Sequence, residues 1–426
     1  MKKAIGTIHL WLGLISGLVV FIISITGCIY AFEEELKAWA YKGRETVEVP
    51  DGGNKKSLTE LLSIAQRLSG EDHPIQNITV STIPNQSYSF RPDQIRNSNA
   101  YTHFGEIVYQ HKFYLNPYTG GLIKDENTKY EFFTLVLRLH RNLLLNRSVG
   151  KMIIGISVIL FVILLISGIV LWWPKNKNAT KQRFWFRWKD TTQWKRKNYD
   201  LHNVLGFYSL FILLPIALTG LVFSFDWFDD SVQWVVNGGK RSPKAEPLYS
   251  NSVHIDLLPP LDQILFEVTG SSPEARTFSI RLPDKPGGVV SISAQTSGIR
   301  YTREFYQFDQ YSGEQLSSTG FEEKTSGEKL RAMNYDIHVG SILGFSGKLL
   351  AFFASLISAG LPVTGFLIWI GRKKKEKNKL QNRKKLHGLN SKSRIGSHSK
   401  TAKPYYPKSE KPDESIESVS DDYLRS

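Results

Sequence analysis

Four of the ten histidines lie next to long apolar segments, and their sequence surroundings recur along the chain. The pattern His-x-x-x-Gly at His9 recurs at His202, and His140 and His338 each precede an apolar segment with a glycine and a tryptophan at nearly matching offsets. A neutral imidazole is a common axial ligand of haem iron, and ionisable side chains beside membrane spans tend to mark function. The four histidines are therefore candidate haem ligands, although any one of them alone fits an ordinary anchor at a membrane surface.

The elements that position these histidines are apolar spans. A helix that crosses a bilayer needs about 20 residues at a rise of ~1.5 Å per residue. Four stretches of that length carry no formal charge: 4–32, 153–173, 204–225 and 349–370. The first stretch is too long for a secretory signal and no clear small-residue cleavage site follows it, so we expect it to be a retained helix.

Basic residues set the expected orientation. The segment 175–198 holds nine Lys or Arg and one acid, Asp190, and Arg372 opens a run of four basic residues after the last span. By the positive-inside rule both segments lie in the cytoplasm, as do both termini. The formal charge of +15 is therefore concentrated beside the membrane and does not indicate a nucleic-acid-binding surface.

The spans divide the chain into alternating segments. We expect transmembrane helices over 1–32, 150–173, 203–226 and 346–371, a basic cytoplasmic loop over 174–202 and a basic, disordered cytoplasmic tail over 372–426. The segments 33–149 and 227–345 then form extracytoplasmic domains. Each combines a helical pattern, at 57–68 or 261–269, with strand-like runs and a closing Asn/Asp-x-x-Thr/Ser-Gly turn; the runs are 77–83 and 106–115 in the first, and 276–282, 289–294 and 302–308 in the second.

The two halves of the chain align as a repeat. When His9 is placed on His202, the Thr-Gly pair at Thr26 falls on the one at Thr219 without a gap, and the second and fourth spans match with a slip of one residue. Repeats decide architecture. The sequence predicts an α-helical membrane protein with four transmembrane helices in a 2+2 tandem repeat and two α+β extracytoplasmic domains.

The expected orientation pairs histidines on the same side of the membrane. His9 and His202 fall near the cytoplasmic face, and His140 and His338 near the outer face. Two facing histidines on different helices can hold one haem within a bundle. The only cysteine, Cys28, lies inside the first span, which excludes covalent haem attachment through C-x-x-C-H. The sequence therefore predicts two non-covalent b-type haems and an electron path across the lipid bilayer.

Other polar residues are weaker candidates. Cations near the spans could neutralise haem propionates or simply fix topology: Arg138, Arg141 and Arg331 outside, Lys3, Arg196 and Lys197 inside. The remaining histidines of the outer domains show no metal-ligand spacing, which favours surface or core roles: His73, His103, His111 and His254. Ordinary packing is also favoured over contact with an anionic chelate for a group in the second domain: Arg300, Tyr301, Arg303, Phe305 and Tyr306.

The sequence resembles the PepSY-associated transmembrane helix family over about residues 1–375. That family includes iron-regulated membrane proteins and ferric-siderophore reductases of bacterial inner membranes. The residues that carry the resemblance are Ile8-His9 with Gly13, Leu139-His140-Arg141, Ser167-Gly168, Leu171-Trp172-Trp173-Pro174, Asp200-Leu201-His202 and Ile337-His338 with Gly340, together with the two Asn/Asp-x-x-Thr/Ser-Gly turns. The chain departs from the pattern in its Asp309-Gln310 turn, which lacks the usual proline, and in its long basic tail.

The resemblance implies two PepSY-like outer domains, at about 57–125 and 253–316, and haem ligation by the same four histidines. It also implies a bacterial inner-membrane location and electron transfer from a cytoplasmic donor to a ferric chelate in the periplasm. No Walker or Rossmann motif is found, so a reductase of this kind would take its electrons from another protein. Two alternatives stay open: a haem-free membrane protein that binds peptides or modulates a protease, and a redox protein with a different substrate.

Overall fold

A computed structural model describes residues 1–174, 180, 183–243, 246–251, 260–296 and 298–396. The expected tail beyond 396, much of the basic loop after 174, and His254 lie outside these described residues. The helices are α1 (Lys2–Ala31), α2 (Glu33–Ala40), α3 (Lys42–Glu45), α4 (Leu58–Ser69), α5 (His103–Glu106), α6 (Phe132–Asn142), α7 (Arg147–Trp172), α8 (Trp194–Ser224), α9 (Asp226–Val236), α10 (Leu261–Ser271), α11 (Ser326–Val339) and α12 (Gly344–Gly396).

Helices α1, α7, α8 and the first part of α12 are long and apolar enough to cross a membrane. Because lipid offers no hydrogen bonds, a helix that satisfies its own backbone is the stable form of such a segment. α1 packs along α6 and α7, whereas α8 packs along α7 and α11. The aromatic face of Trp172 stacks on Phe207 at 3.8 Å between ring centroids and closes the α7–α8 contact at the end opposite the sheet.

Contacts within the chain divide it into two units, residues 1–369 and 370–426. The first unit contains the apolar helices, the sheet and all four histidines discussed below. The described part of the second unit is the continuation of α12 to Gly396.

Sharp reversals separate α6 from α7 and α11 from α12. Asn146 caps α7 by accepting a hydrogen bond from the Ser148 amide, and Leu143 and Leu144 take the left-handed conformation, with φ of 56° and 55°. Such a conformation costs about 1–2 kcal/mol for a non-glycine residue. In the second half the left-handed position is Gly340, with φ of 82°, which has no such cost. Both short helices therefore fold back against the end of a long one.

Ten strands connect these helices on one side of the bundle: β1 (Ile75–Ser81), β2 (Tyr88–Pro92), β3 (Ile95–Arg96), β4 (Ile107–Tyr109), β5 (His111–Leu115), β6 (Leu122–Asn127), β7 (Thr277–Arg281), β8 (Val289–Gln295), β9 (Glu304–Asp309) and β10 (Gln315–Thr319). Eight of them form one sheet in the order β10-β9-β8-β7-β1-β2-β5-β6, and β3 pairs with β4 separately. At the centre, β1 and β7 run antiparallel with Ile78 opposite Ile280. Outward from the β1–β7 pair, the strands of each half follow in chain order. These are β1, β2, β5 and β6 on one side and β7, β8, β9 and β10 on the other.

Strand alternation gives the sheet one apolar and one polar face. The apolar face is covered by α4 and α10, and side chains such as Phe90, Phe278 and Phe308 are fully buried there. Ser57 caps the α4 helix, because its hydroxyl accepts a hydrogen bond from the Glu60 amide. The opposite face carries mainly hydroxyl, amide and basic side chains. Burial of the first face against helices fixes the register of the strands that contribute apolar side chains to it.

The two outer segments were expected to be separate α+β domains, and the structure differs on this point. The strands expected near 77–83, 276–282, 289–294 and 302–308 are present as β1, β7, β8 and β9. However, backbone pairing of β1 with β7 joins the two segments into one sheet. Both carboxylate oxygens of Asp262 on α10 also bind the start of α4, accepting from the amides of Leu58 and Thr59 at 2.5 and 3.2 Å.

Candidate functional site

The histidines at the end of the bundle farthest from the sheet form a pair. His9 on α1 and His202 on α8 have ring centroids 6.5 Å apart, with ring planes nearly perpendicular at 85°. Two imidazoles bound to opposite sides of one metal, each through a nitrogen about 2 Å away, have centroids about 6 Å apart. The spacing of this pair therefore matches two ligands of a single metal ion.

The histidines near the sheet form a second pair with the same spacing. His140 on α6 and His338 on α11 have ring centroids 6.1 Å apart and ring planes at 69°. Both rings lie against the long helices, since His140 packs on α1 and His338 on α8. The short helices α6 and α11 thus deliver a side chain to the bundle interior without crossing it.

Each histidine rests on a Ser/Thr-Gly dipeptide of a neighbouring helix, which we call its seat. The Nδ1 atom of His9 lies 2.8 Å from the Ser167 hydroxyl, and that of His202 lies 2.9 Å from the Thr364 hydroxyl. His140 lies 3.1 Å from the Thr26 hydroxyl and His338 lies 2.9 Å from that of Thr219. The four seats are Ser167-Gly168, Thr364-Gly365, Thr26-Gly27 and Thr219-Gly220.

The seats fix which ring nitrogen carries the proton. Each seat hydroxyl donates to a carbonyl three or four residues earlier in its own helix, as Ser167 does to Leu164 and Thr364 does to Gly360. A hydroxyl has one proton, so it can only accept from the histidine. The Nδ1 atoms of His140 and His338 also approach backbone carbonyls at 2.9 and 3.1 Å, which cannot donate. All four neutral rings therefore carry the proton on Nδ1.

A proton on Nδ1 leaves Nε2 unprotonated, and the lone pair of an unprotonated ring nitrogen can bind a metal. Hydrogen bonding of the second ring nitrogen is the usual way in which a protein orients a ligating histidine and raises its basicity. No group in the described part of the chain forms a hydrogen bond with Nε2 of His9, His140 or His338. Burial lowers the pKa of His140 and that of His338 to about 4, so both rings are neutral near pH 7.

The glycine of each seat lets the ring lie close to the helix backbone. A Cβ atom added at Gly365 would stand 3.3 Å from Cε1 of His202, and one at Gly27 would stand 3.4 Å from Cε1 of His140. The corresponding distances at Gly220 and Gly168 are 3.5 and 3.7 Å. A larger side chain at any seat would push the ring away, so small residues are needed there for ligand placement as well as for helix packing.

Each pair takes one histidine from each half of the chain, and each histidine is seated within its own half. Thr26 follows His9 by 17 residues on α1, and Thr219 follows His202 by 17 residues on α8. At ~1.5 Å per residue the two levels are about 25 Å apart along the helix axis. The two pairs therefore lie near opposite ends of the apolar bundle.

The donor set fits haem better than a bare metal ion. No group of three or more His, Cys, Asp or Glu side chains able to hold a metal occurs among the described residues. Bare zinc in proteins takes three or four protein ligands, whereas haem iron brings four nitrogens of its own and needs axial ligands only. Two facing histidines could supply both axial ligands of one haem, and the seat glycines leave room beside the rings.

The expected propionate partners divide into paired and unpaired cations. Arg331 forms an ion pair with Asp229, and Arg196 binds Asp200 at 2.9 Å. Lys197 lies over the Trp188 ring at 5.9 Å. In the described residues, Arg138 and Arg141 on α6 have no ion-pair or hydrogen-bond partner for their guanidinium groups. These two remain the candidates for an anionic group beside His140.

The other histidines and arginines considered from the sequence have structural partners. The His73 and His111 rings stack on Tyr109 at 3.7 and 4.7 Å, and His111 also binds Asp125 at 2.8 Å. His103 is buried and its Nε2 lies 3.0 Å from the Lys129 carbonyl. Arg300 lies over the Tyr335 ring at 3.8 Å, and Arg303 donates to Gln295 at 2.6 and 2.8 Å. These contacts agree with packing roles.

The apolar helices and the two half-buried histidine pairs define a multi-pass membrane protein with candidate metal sites between its helices. The model of the family described as "PepSY-associated TM region" matches residues 7–372, and the chain belongs to that family. A search of curated proteins gave no match.

Proposed function

We propose that the chain is a diheme b-type electron-transfer protein of the bacterial inner membrane. His9 and His202 would hold one haem near the cytoplasmic face, and His140 with His338 would hold the other near the periplasmic face. The observation that carries this proposal is the repeated geometry of the two pairs: centroids 6.5 and 6.1 Å apart, with every Nδ1 proton directed to a seat in its own half.

The residues around each pair would control what the bound group can do. Haem would supply a one-electron iron(III)/iron(II) couple at each level of the bundle. The seats hold the rings in one tautomer and raise the basicity of Nε2, which favours iron(III) and lowers the reduction potential. The apolar helices would limit the access of water to each haem, and Arg138 and Arg141 on α6 would be available to neutralise propionates near the outer end.

The orientation supports electron flow outward. Arg372 and the three lysines after it follow the last apolar segment, and the connection between α7 and α8 is also strongly basic. The positive-inside rule places both in the cytoplasm, together with the His9/His202 end, and places the sheet in the periplasm. We further propose that the two halves of the chain are tandem repeats and that the sheet consists of two PepSY-like modules, which its symmetric strand order supports.

The proposed substrate is an iron(III) chelate, such as a ferric siderophore, reduced on the periplasmic side with electrons from a separate cytoplasmic donor. Hard oxygen donors bind iron(III) more strongly than iron(II) because the former has the higher charge. One-electron reduction therefore weakens the chelate. A reductase of this kind needs a binding surface on the sheet side of the bundle, where the His140/His338 pair lies.

The test is an oxidised-minus-reduced visible spectrum of the full chain purified in detergent, with haem quantified per chain. We expect two non-covalent low-spin haems, of which His9→Ala removes one and His140→Ala the other. His111→Ala is the matched control, because His111 lies on β5 and belongs to neither pair. A colourless protein obtained from haem-replete cells would overturn the proposal in favour of a haem-free binding or regulatory protein.

A further inference from the structure

The polar face of the sheet contains a cavity of about 530 Å³. Ligand sites in proteins usually have volumes of about 300–1,000 Å³, so the cavity is large enough for a small chelate. It crosses the seam between the two halves: Thr79 on β1 and Ser279 on β7 stand opposite each other and both line it. The cavity therefore exists only because the two segments share one sheet.

The cavity wall is cationic. Arg91 on β2, Lys112 on β5 and Arg281 on β7 line it, and its described lining contains no carboxylate. Arg281 has a distant counter-ion in Asp93 at 4.0 Å. In the part of the chain that the structure describes, no carboxylate forms an ion pair with Arg91 or Lys112. The Lys112 ammonium instead lies 4.7 Å from the centre of the Tyr114 ring.

Hydroxyl groups complete the wall. Ser89, on the same strand as Arg91, and Ser291 and Ser293, on β8, lie on the same face of the sheet as the cations and also line the cavity. Cations and hydroxyls together bind carboxylate, phenolate or phosphate oxygens by charge-assisted hydrogen bonds, which are the strongest of the ordinary polar contacts. Carboxylates act on these cations only from a distance, Asp93 on Arg91 and Glu45 and Glu126 on Lys112. Because neither cation is held in a direct ion pair among the described residues, both can bind an anionic ligand in the half-closed cavity.

Two segments that adjoin helices of the His140/His338 site lie near the polar face of the sheet. The Arg44 guanidinium, on the segment that leaves α1, lies 5.3 Å from the ring of Tyr114, a neighbour of Lys112 on the polar face. In the other half, the Lys324 ammonium, just before α11, lies 5.5 Å from the ring of Phe305, which lines the cavity. Both α1 and α11 carry residues of the His140/His338 site. A ligand in the cavity would thus lie on the face of the sheet that the segments next to α1 and α11 approach.

We propose that this cavity binds a multiply charged, oxygen-rich anion, and that the substrate of the protein is an anionic iron(III) chelate rather than a neutral or cationic one. The second part of the proposal rests on the reductase function proposed above. The first part does not, because the cations and the cavity are independent of the histidines.

The test measures binding of gallium(III) citrate to the full chain in lipid nanodiscs by isothermal titration calorimetry. Gallium(III) has the charge and size of iron(III) but is not reduced here, so binding is measured separately from haem content and electron transfer. We expect Lys112→Gln and Arg91→Gln each to weaken binding about tenfold or more, because a hydrogen bond to a charged group is lost. Lys285→Gln, an exposed lysine on the β7–β8 turn, should bind like the unaltered chain.

Two competing ligands give the class of anion. A gallium(III) trihydroxamate complex without net negative charge should bind weakly and should not respond to Lys112→Gln. Inorganic phosphate should compete only poorly. Equal binding of the trihydroxamate complex, equal competition by phosphate, or the same loss of affinity in Lys285→Gln as in Lys112→Gln would each overturn the proposal. If gallium(III) citrate binds as expected while the purified chain holds no haem, the cavity proposal stands and the reductase proposal fails.

Discussion

Thr364 accepts a hydrogen bond from Nδ1 of His202 at 2.9 Å while its own proton is donated to the backbone of α12. The threonine therefore acts on the ring without changing its charge. The same relation recurs at Ser167, Thr26 and Thr219. A ring held in this way is oriented before any metal binds, which reduces the entropy lost on ligation.

Removal of the Thr364 hydroxyl should therefore change the properties of one haem. In Thr364→Val the Nδ1 proton of His202 loses the hydroxyl acceptor that Thr364 supplies, so Nε2 becomes less basic and iron(III) less favoured. We expect the midpoint potential of the His9/His202 haem to rise and its transfer to excess haem-free globin to become about tenfold faster. Thr364→Ser keeps the hydroxyl and should behave like the unaltered chain. An unchanged potential in Thr364→Val would contradict the role of the seat.

Bulk at a seat glycine should remove a haem outright. A Cβ atom at Gly365 would already stand 3.3 Å from His202, whereas nothing lies within 4 Å of one at Gly360 on the same helix. Gly365→Val should leave one haem per chain, measured as the pyridine haemochromogen, and Gly360→Val should keep both. Loss of haem in both variants would mean that valine disturbs the helix rather than the ring.

The contact of Asp262 with α4 should contribute to the stability of the sheet. Asp262 is exposed but accepts from two amides and from the Thr59 hydroxyl at 2.6 Å, which makes it a helix cap supplied by the other half of the chain. Loss of such a cap costs about 1 kcal/mol. Asp262→Ala should accelerate hydrogen exchange at the start of α4, and the exposed Asp284→Ala should not. Unchanged hydrogen exchange in Asp262→Ala would show that the cap does not contribute to the stability of α4.

Anion binding in the cavity should depend on pH through Lys112. Burial lowers the pKa of Lys112 to about 8, so the ammonium is present below that pH and is lost above it. Neighbouring charges shift this pKa in both directions. Glu45 and Glu126 raise it by stabilising the ammonium, whereas Lys37 and Arg91 lower it. Because the ammonium that attracts the anion is lost, the affinity for gallium(III) citrate should fall as the pH rises from about 7 to about 9.5. That slope should disappear in Lys112→Gln, and a slope of equal size in that variant would assign the effect to another group.

The membrane helices were predictable because lipid imposes one solution on a long apolar segment. To within one residue at their ends, the four apolar segments lie in helices long enough to cross a membrane. Amphipathic patterns likewise indicate α4 and α10, which the structure places at Leu58–Ser69 and Leu261–Ser271. In each case the signal is local, since it depends on residues that are neighbours along one element.

The features of the fold and the site that the sequence does not predict depend on contacts between distant parts of the chain. The strand β6 has the sequence LIKDEN, which shows no apolar alternation because the strand lies at the edge of the sheet. Pairing of β1 with β7 leaves no trace in either strand alone. Thr364 was overlooked although it precedes Gly365 as Ser167 precedes Gly168, and that dipeptide is a signal that a search for repeated Ser/Thr-Gly pairs would have found.

The β6 edge also limits how the molecule can associate with others. Lys124, Asp125 and Glu126 occupy consecutive positions on the last strand of the sheet, and Arg44 forms an ion pair with Glu126. An unpaired strand edge is a template for an incoming chain, and charged side chains make such an addition costly. This border of the sheet is therefore protected against fibril-like growth, and crowded neighbours in the same membrane are kept from joining their sheets through it.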